Sequence, residues 1–208
     1  MKKPRPGGRP SIAQAGQIDE KILATASELF LTQGYGETSI EAVAKRAGIS
    51  KRTFYHRYAD KSALFGAVMH RLVVQLRPAP AADAHLFEGA DPETVLQRLA
   101  HLILDAALQP EALALHRVIL SEAGRFPELA AIIDANSAWK EAIQRIAELL
   151  CVNEKVTRAK AEFAAEQFMH LLLAGPRHRA LGMGIIMAPG ERNAWTRQSV
   201  QLFLRGWR

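Results

Sequence analysis

Apolar residues recur at the spacing of amphipathic helices along this chain. A first helix is predicted over about residues 18–33, and Gly34 ends it. Its apolar face consists of Ile22, Ala26, Leu29 and Phe30. A face of this kind buries itself against other helices, so this segment belongs to a packed helical unit.

Two short helices with a glycine turn between them are predicted over 38–61. Thr38 and Glu41 form a T-x-x-E capping box that starts the first of them. Gly48 ends it in a left-handed conformation, and Ser50 caps the next one. The apolar stripe of the first short helix consists of Ile40, Val43, Ala44 and Ala47.

The second short helix is predicted to bury Phe54 and Tyr58. Its outward face then consists of Lys51, Arg52, Thr53, Tyr55 and His56. With Arg57 this face has three cations, and no carboxylate lies between Glu41 and Asp60. This layout is typical of a helix-turn-helix that binds duplex DNA. The alternative interpretation is a helical hairpin on the protein surface whose charged side chains are simply solvated.

The rest of the chain also has helical patterning, without convincing strand alternation. Asp60 caps a helix that Pro78 ends, and its apolar face consists of Leu64, Phe65, Val68, Leu72 and Leu76. After a linker over 80–89, punctuating Pro, Gly and Asn residues separate the remaining segments. They are predicted at about 91–107, 110–123, 127–150, 154–175 and 191–206.

We therefore predict an all-α fold of about nine helices. Residues 1–16 form a flexible basic arm, 17–60 a helix-turn-helix domain, and 61–208 a larger helical body. A chain of 208 residues is long enough to bury a substantial core.

The positive charge is concentrated in the N-terminal part. Residues 1–77 contain 13 Lys and Arg against 6 Asp and Glu, whereas residues 78–208 contain 14 against 15. The net charges of +7 and −1 indicate a polyanionic partner for the first part alone.

The N-terminal arm is rich in Pro and Gly as well as basic. It is either an ordinary ragged terminus or a minor-groove arm that uses Arg5 or Arg9. No secretory signal follows Lys2 and Lys3, and Pro176 to Arg179 interrupt the longest apolar stretch. A single cysteine, Cys151, excludes an intramolecular disulfide, so we expect a cytoplasmic protein.

Residues Ile22 to Phe65 resemble the DNA-binding domain of TetR-family regulators. The matching motifs are A-x-x-L-F, G-Y, T-S-I-x-x-V-A-x-x-A-G-I-S and T-F-Y-x-x-Y-x-x-K-x-x-L. Tyr58 and Asp60 depart mildly from the family, which commonly has Phe and Ser or Asn there. Leu115 to Ala130 is similar to the C-terminal domain of members linked to efflux and stress genes.

The resemblance implies a ligand-responsive repressor that binds a near-palindromic operator as a homodimer and releases it on binding a small, largely apolar effector. Two reading heads then lie about 34–36 Å apart. Arg52 and Thr53 are predicted to read base edges, and Lys51 a base or a phosphate. The predicted phosphate contacts are Thr38, Ser39, Ser50, Tyr55, His56 and Lys61.

The candidate residues for the effector pocket and for the dimer surface lie in the helical body. The candidates for the effector pocket are His101, His116, Asn136, Trp139 and His170. The family implies that the last two long helices form the dimer surface. The candidates on them are Phe163, Gln167, His170, Leu171, Trp195, Ser199, Leu202 and Gly206.

The sequence gives weaker support to other classes of protein. No nucleophile–base motif, glycine-rich phosphate loop or H-E-x-x-H pattern is present, so we expect neither an enzyme nor a cofactor. Metal sensing through His85, His101, His116 or Cys151 lacks a closely spaced ligand pair. An activator or an architectural DNA protein would share the same head and stays open.

Overall fold

The computed structural model describes residues 12–76, 91–154 and 156–207. Within these ranges the chain forms ten α-helices and one π-helical turn, without a strand. The α-helices are α1 (Ile12–Gln33), α2 (Ile40–Ala47), α3 (Lys51–Tyr55), α4 (Lys61–Leu76), α5 (Pro92–Ala107), α6 (Pro110–Glu122), α7 (Glu128–Ala135), α8 (Ala138–Glu154), α9 (Arg158–His178) and α10 (Pro189–Trp207). The π turn, Arg179–Met183, extends α9. The all-α prediction is confirmed.

Helices α1 to α4 share one hydrophobic core with α6 and α7. Phe30, Phe54 and Phe65 are fully buried in it. The ring of Phe65 meets those of Phe30 and Tyr35 edge to face, with centroids 5.1 and 5.2 Å away. The N-terminal head, which consists of α1 to α3, is therefore packed directly onto α4, α6 and α7 of the body.

Helix α1 begins at Ile12, earlier than the predicted start at residue 18. Residues 12–16 thus belong to a helix, and the predicted arm over 1–16 is too long. Arg5, Arg9, the linker over 80–89 and His85 all lie outside the described residues.

The start of α2 differs from the prediction by one residue. Ser39, not Thr38, is the N-cap, because its side chain accepts a hydrogen bond from the amide of Ala42 at 3.1 Å. The predicted T-x-x-E capping box is therefore wrong. Gly48 does end α2 in the left-handed region, with φ of 66°, as predicted.

A second core joins α5, α8, α9 and α10. The single helix predicted over 127–150 is in fact the pair α7 and α8. The break occurs because the Asn136 side chain donates to the carbonyl of Ile132 at 2.9 Å and the Ser137 hydroxyl accepts from the amide of Lys140 at 3.2 Å. The Asn136 backbone amide still donates to the Ile132 carbonyl at 3.2 Å, whereas the Ser137 hydroxyl takes the amide of Lys140 from the carbonyl of Asn136, its partner in a continuous helix.

Helix α9 continues past its predicted end at Gly175 and includes Pro176. A proline inside a helix has no N–H for the carbonyl four residues before it, which here is that of Leu172. The indole N–H of Trp195 on α10 donates to that carbonyl at 2.9 Å. Gly175 leaves room for the ring, since a Cβ there would lie 2.8 Å from it. The Trp195 side chain therefore joins α10 to α9 within one chain.

The described helices include none that combines the length and the apolar character needed to cross a bilayer.

Candidate functional site

Helix α3 presents most of its polar side chains to solvent. Phe54 anchors it, with no exposed surface, while Arg52, Tyr55 and His56 are exposed. Because Phe54 fixes the rotation of this short helix, these side chains project away from the head. They form a surface that duplex DNA can approach.

Ser50 and Thr53 lie together at the start of α3. The Ser50 hydroxyl accepts from the amide of Thr53 at 3.1 Å and lies 2.8 Å from the Thr53 hydroxyl. The predicted N-cap at Ser50 is confirmed. A helix start of this kind, with outward amides and hydroxyls, is a suitable place for a phosphate.

Lys51 forms an ion pair with Glu41 of α2 on the exposed surface. A hydrogen bond from Lys51 lowers the pKa of the Glu41 carboxyl, and the same bond raises the pKa of the Lys51 ammonium. Exposed pairs of this kind contribute little to stability because water screens them, so a phosphate can take the place of Glu41 at small cost.

Arg57 does not belong to the outward cationic face that the sequence predicts. Its guanidinium pairs with Asp19 of α1 at 2.7 Å, and only 17% of its side chain is exposed. The cationic face of α3 therefore consists of Lys51 and Arg52 without Arg57.

Thr38 and Lys61 are also occupied within the head. Thr38 is buried, and its hydroxyl donates its one proton to the carbonyl of Gly34 at 2.7 Å, so it has none for a phosphate. Thr38 is therefore unsuited to the phosphate contact that the sequence predicts. The Lys61 ammonium donates to the carbonyls of Tyr35 and Gly36 at 2.9 and 3.3 Å, which leaves one of its three protons. Ser39, by contrast, is exposed.

A cavity of about 700 Å³ lies between α4 and the body helices α5, α6, α8 and α9. Four of the five candidate pocket residues line it, namely His116, Asn136, Trp139 and His170. His101 does not line it and instead bonds the Gln97 carbonyl through Nδ1 at 2.8 Å. The lining is mainly Ala, Leu, Ile, Val and Met, which suits an apolar ligand.

The candidate dimer residues on α9 and α10 divide into two groups. The group exposed at least in part consists of Phe163, Gln167, His170, Leu171, Leu202 and Gly206. Phe163 and Leu202 are 65% and 63% exposed, which is high for large apolar side chains. Ser199 is buried within the chain, and the partly buried Trp195 packs on Gly175, so both have contacts inside one subunit.

Sequence reasoning missed a contact between the body and the turn that joins α1 to α2. The Glu122 carboxylate of α6 is buried beside Gly34 and Gly36, where an added Cβ would lie 2.8 and 3.2 Å from its oxygens. The Tyr35 hydroxyl donates to Glu128 of α7 at 3.2 Å. The positive φ of Gly34, 91°, favours glycine at this turn. No sequence pattern could have indicated that Gly34 contacts Glu122, which lies far along the chain.

Among the described residues no group of three His, Cys, Asp or Glu side chains lies close enough to hold a metal ion.

Comparison with known families agrees with this architecture. Residues 22–68 match the family described as "Bacterial regulatory proteins, tetR family". Residues 94–208 match the family described as "AefR-like transcriptional repressor, C-terminal domain". The first match covers α2, α3 and their flanks, and the second covers more than half of the chain.

Individual relatives are similar over different lengths. The HTH-type transcriptional regulator EthR of Mycolicibacterium smegmatis is 34% identical over 96 residues, which are 45% of this chain and 43% of the relative. The HTH-type transcriptional regulator AcrR of Shigella flexneri is 27% identical over 150 residues, 70% of this chain and 69% of the relative.

A solved structure, the flavonoid-responsive regulator FrrA, superposes with a TM-score of 0.70 at 28% identity and covers 92% of this chain and 97% of its own. The family and these relatives are transcriptional regulators, which excludes the enzyme alternative. The chain therefore belongs to the TetR family of DNA-binding transcriptional regulators.

Proposed function

We propose that this chain is a ligand-responsive repressor that binds a near-palindromic operator as a homodimer and releases it when a small, largely apolar effector enters the body. The observation that carries the DNA-binding half is the exposed start of α3, anchored by the buried Phe54. The proposal includes a cytoplasmic location, where the operator DNA is found.

Helix α3 enters the major groove in this proposal. Arg52 and Thr53 read base edges, because a guanidinium can donate twice to guanine and a threonine methyl can rest on that of thymine. Ser39, Ser50, Tyr55, His56 and the remaining proton of Lys61 contact phosphates. Lys51 leaves Glu41 to contact a phosphate or a base.

Arg52→Ala is expected to weaken operator binding by about 1–3 kcal/mol and to relax the base preference at one position per half-site. Fluorescence anisotropy with the operator and with a scrambled duplex measures both effects. Arg117→Ala, which removes an exposed arginine of α6 in the body, is the matched control and should change neither affinity.

An equal loss on operator and scrambled DNA would assign Arg52 to the phosphate backbone. An unchanged affinity for both duplexes would contradict the assignment of α3 as the reading helix.

The homodimer in this proposal is formed by the exposed face of α9 and α10. Phe163 and Leu202 supply apolar surface, and Gly206 allows close approach of two helices. Large exposed apolar side chains on neighbouring helices are typical of a protein interface. A two-fold axis through this face would make the operator an inverted repeat.

The effector site in this proposal is the 700 Å³ cavity. Met69, Val73 and Leu76 of α4 line it, so a ligand there contacts the helix that also packs on α1 in the head. The relative FrrA is described as flavonoid-responsive, which supports a small organic effector here as well.

The route from cavity to head runs through α4 and the α1–α2 turn. Ser62 at the start of α4 lies 3.0 Å from the Tyr35 hydroxyl, and the Tyr35 ring meets that of Phe126 at 5.0 Å. A shift of α4 against α6 and α7 would therefore move the turn before α2. Coupling of about 1–3 kcal/mol between such sites changes affinity by about 5- to 150-fold.

A further inference from the structure

The lining of the effector cavity is mainly apolar but includes the charged residues Glu141, Arg145 and Arg177. Arg177 lies in the last turn of α9, directly after Pro176, and its side chain lines the cavity. Its Nε is buried and has no hydrogen-bond partner among the described residues. Burial lowers the pKa of the Arg177 guanidinium below its ordinary value.

No described carboxylate lies within ion-pair distance of the Arg177 guanidinium. Glu141 is the acidic residue among the described lining, but it lies on α8 and has an interaction of its own. The Arg177 side chain is partly buried, and a guanidinium that loses water at an unpartnered nitrogen is costly because it stays charged in proteins. Within the described part of the chain, the cavity therefore contains a guanidinium that lacks a carboxylate partner and whose Nε is unsatisfied.

His116 of α6 is the near neighbour of Arg177. Burial, and then the positive charge of Arg177, lower the pKa of the His116 imidazole. The imidazole is therefore neutral at pH 7, and one of its ring nitrogens can donate a hydrogen bond. Arg177 and His116 can both donate hydrogen bonds to a ligand. His116 cannot supply the negative charge that would pair with the Arg177 guanidinium.

We propose that the effector is an organic anion, with an apolar body that fills the cavity and one acidic group, such as a carboxylate, sulfonate or ionised phenol, that pairs with Arg177. This inference rests on the proposed effector site in the same cavity. The inference narrows the class of effector from largely apolar molecules to amphipathic acids. Neutral and cationic compounds of the same size are then not the preferred ligands.

The test uses two fluorescent probes with the same aromatic skeleton. 1-Anilinonaphthalene-8-sulfonate is anionic, and N-phenyl-1-naphthylamine is its neutral counterpart. The full chain is expected to bind the anion at least about tenfold more tightly, as a charge-assisted pair requires. Arg177→Met keeps a side chain of similar length without the charge, so it should remove this preference and leave the neutral probe unaffected.

Two further variants control the interpretation. Arg117→Met removes an exposed arginine of α6 that does not line the cavity, and it should keep the preference for the anion. Arg177→Lys keeps the charge and should retain a preference for the anion. In the absence of probe, the melting temperature of Arg177→Met should equal or exceed that of the unmodified chain, because a partly desolvated charge with an unsatisfied Nε has been removed.

Equal binding of both probes by the unmodified chain would overturn the anion assignment alone and leave the effector cavity in place. Binding of neither probe would overturn the proposed effector site as well. A Met variant that loses both probes together, or that melts well below the parent chain, would make Arg177 a structural residue and overturn the inference.

Discussion

Replacing Phe65 with alanine is expected to lower the free energy of unfolding by about 3–5 kcal/mol. Phe65 is fully buried, and its ring meets those of Phe30 and Tyr35 edge to face. Truncation leaves a cavity among aromatic rings that are too rigid to fill it. Urea denaturation followed by circular dichroism measures the change.

Phe65→Leu is the matched control, because it keeps an apolar side chain at the same position and should cost less than the alanine variant. The substitution should also affect how the head is held on the body. Phe65 packs on Tyr35, whose ring packs in turn on Phe126 of the body, so the alanine variant should weaken the contact between head and body. A loss below about 1 kcal/mol would mean that this aromatic cluster does not hold the head in place.

Raising the salt concentration from 50 to 200 mM is expected to weaken operator binding by about 10²-fold. The phosphate contacts that release counterions are those made by cations, which are Lys51 and Lys61 on each head and therefore about four on a dimer. Lys51→Met should reduce the slope of log affinity against log salt by about 2, one unit for each head. Anisotropy titrations at several salt concentrations measure the slope.

Arg117→Met again serves as the control, since it removes an exposed positive charge from the body without changing the reading head. A salt effect smaller than about tenfold would rule out four cationic phosphate contacts. An unchanged slope in Lys51→Met would show that Lys51 stays with Glu41 when DNA is bound.

The head could be predicted from the sequence because its signals are local. Gly48 ends α2, Ser50 caps α3, and Phe54 marks the buried side of α3, all within a few residues. The one-residue error at Thr38 and Ser39 arose because both residue types can cap a helix. Only the packed structure decides which hydroxyl turns inward.

The remaining differences come from partners that are distant along the chain. Arg57 looks like an exposed cation until folding brings Asp19 of α1 beside it. Trp195 looks like an interface residue until Pro176 leaves the Leu172 carbonyl in need of a donor. The sequence shows Arg177 only as a charge that interrupts an apolar stretch, because its importance depends on its place in a cavity that six helices line.

The central claim is that the start of α3, twice per symmetric pair, reads the major groove. Selection of duplexes from a random library by the full chain, followed by sequencing, tests it most directly. We predict an inverted repeat whose half-site centres lie about 10–10.5 base pairs apart or at a multiple of that spacing, with one position relaxed by Arg52→Ala. Retained duplexes that share no motif, or a motif that Arg52→Ala leaves intact, would contradict the account.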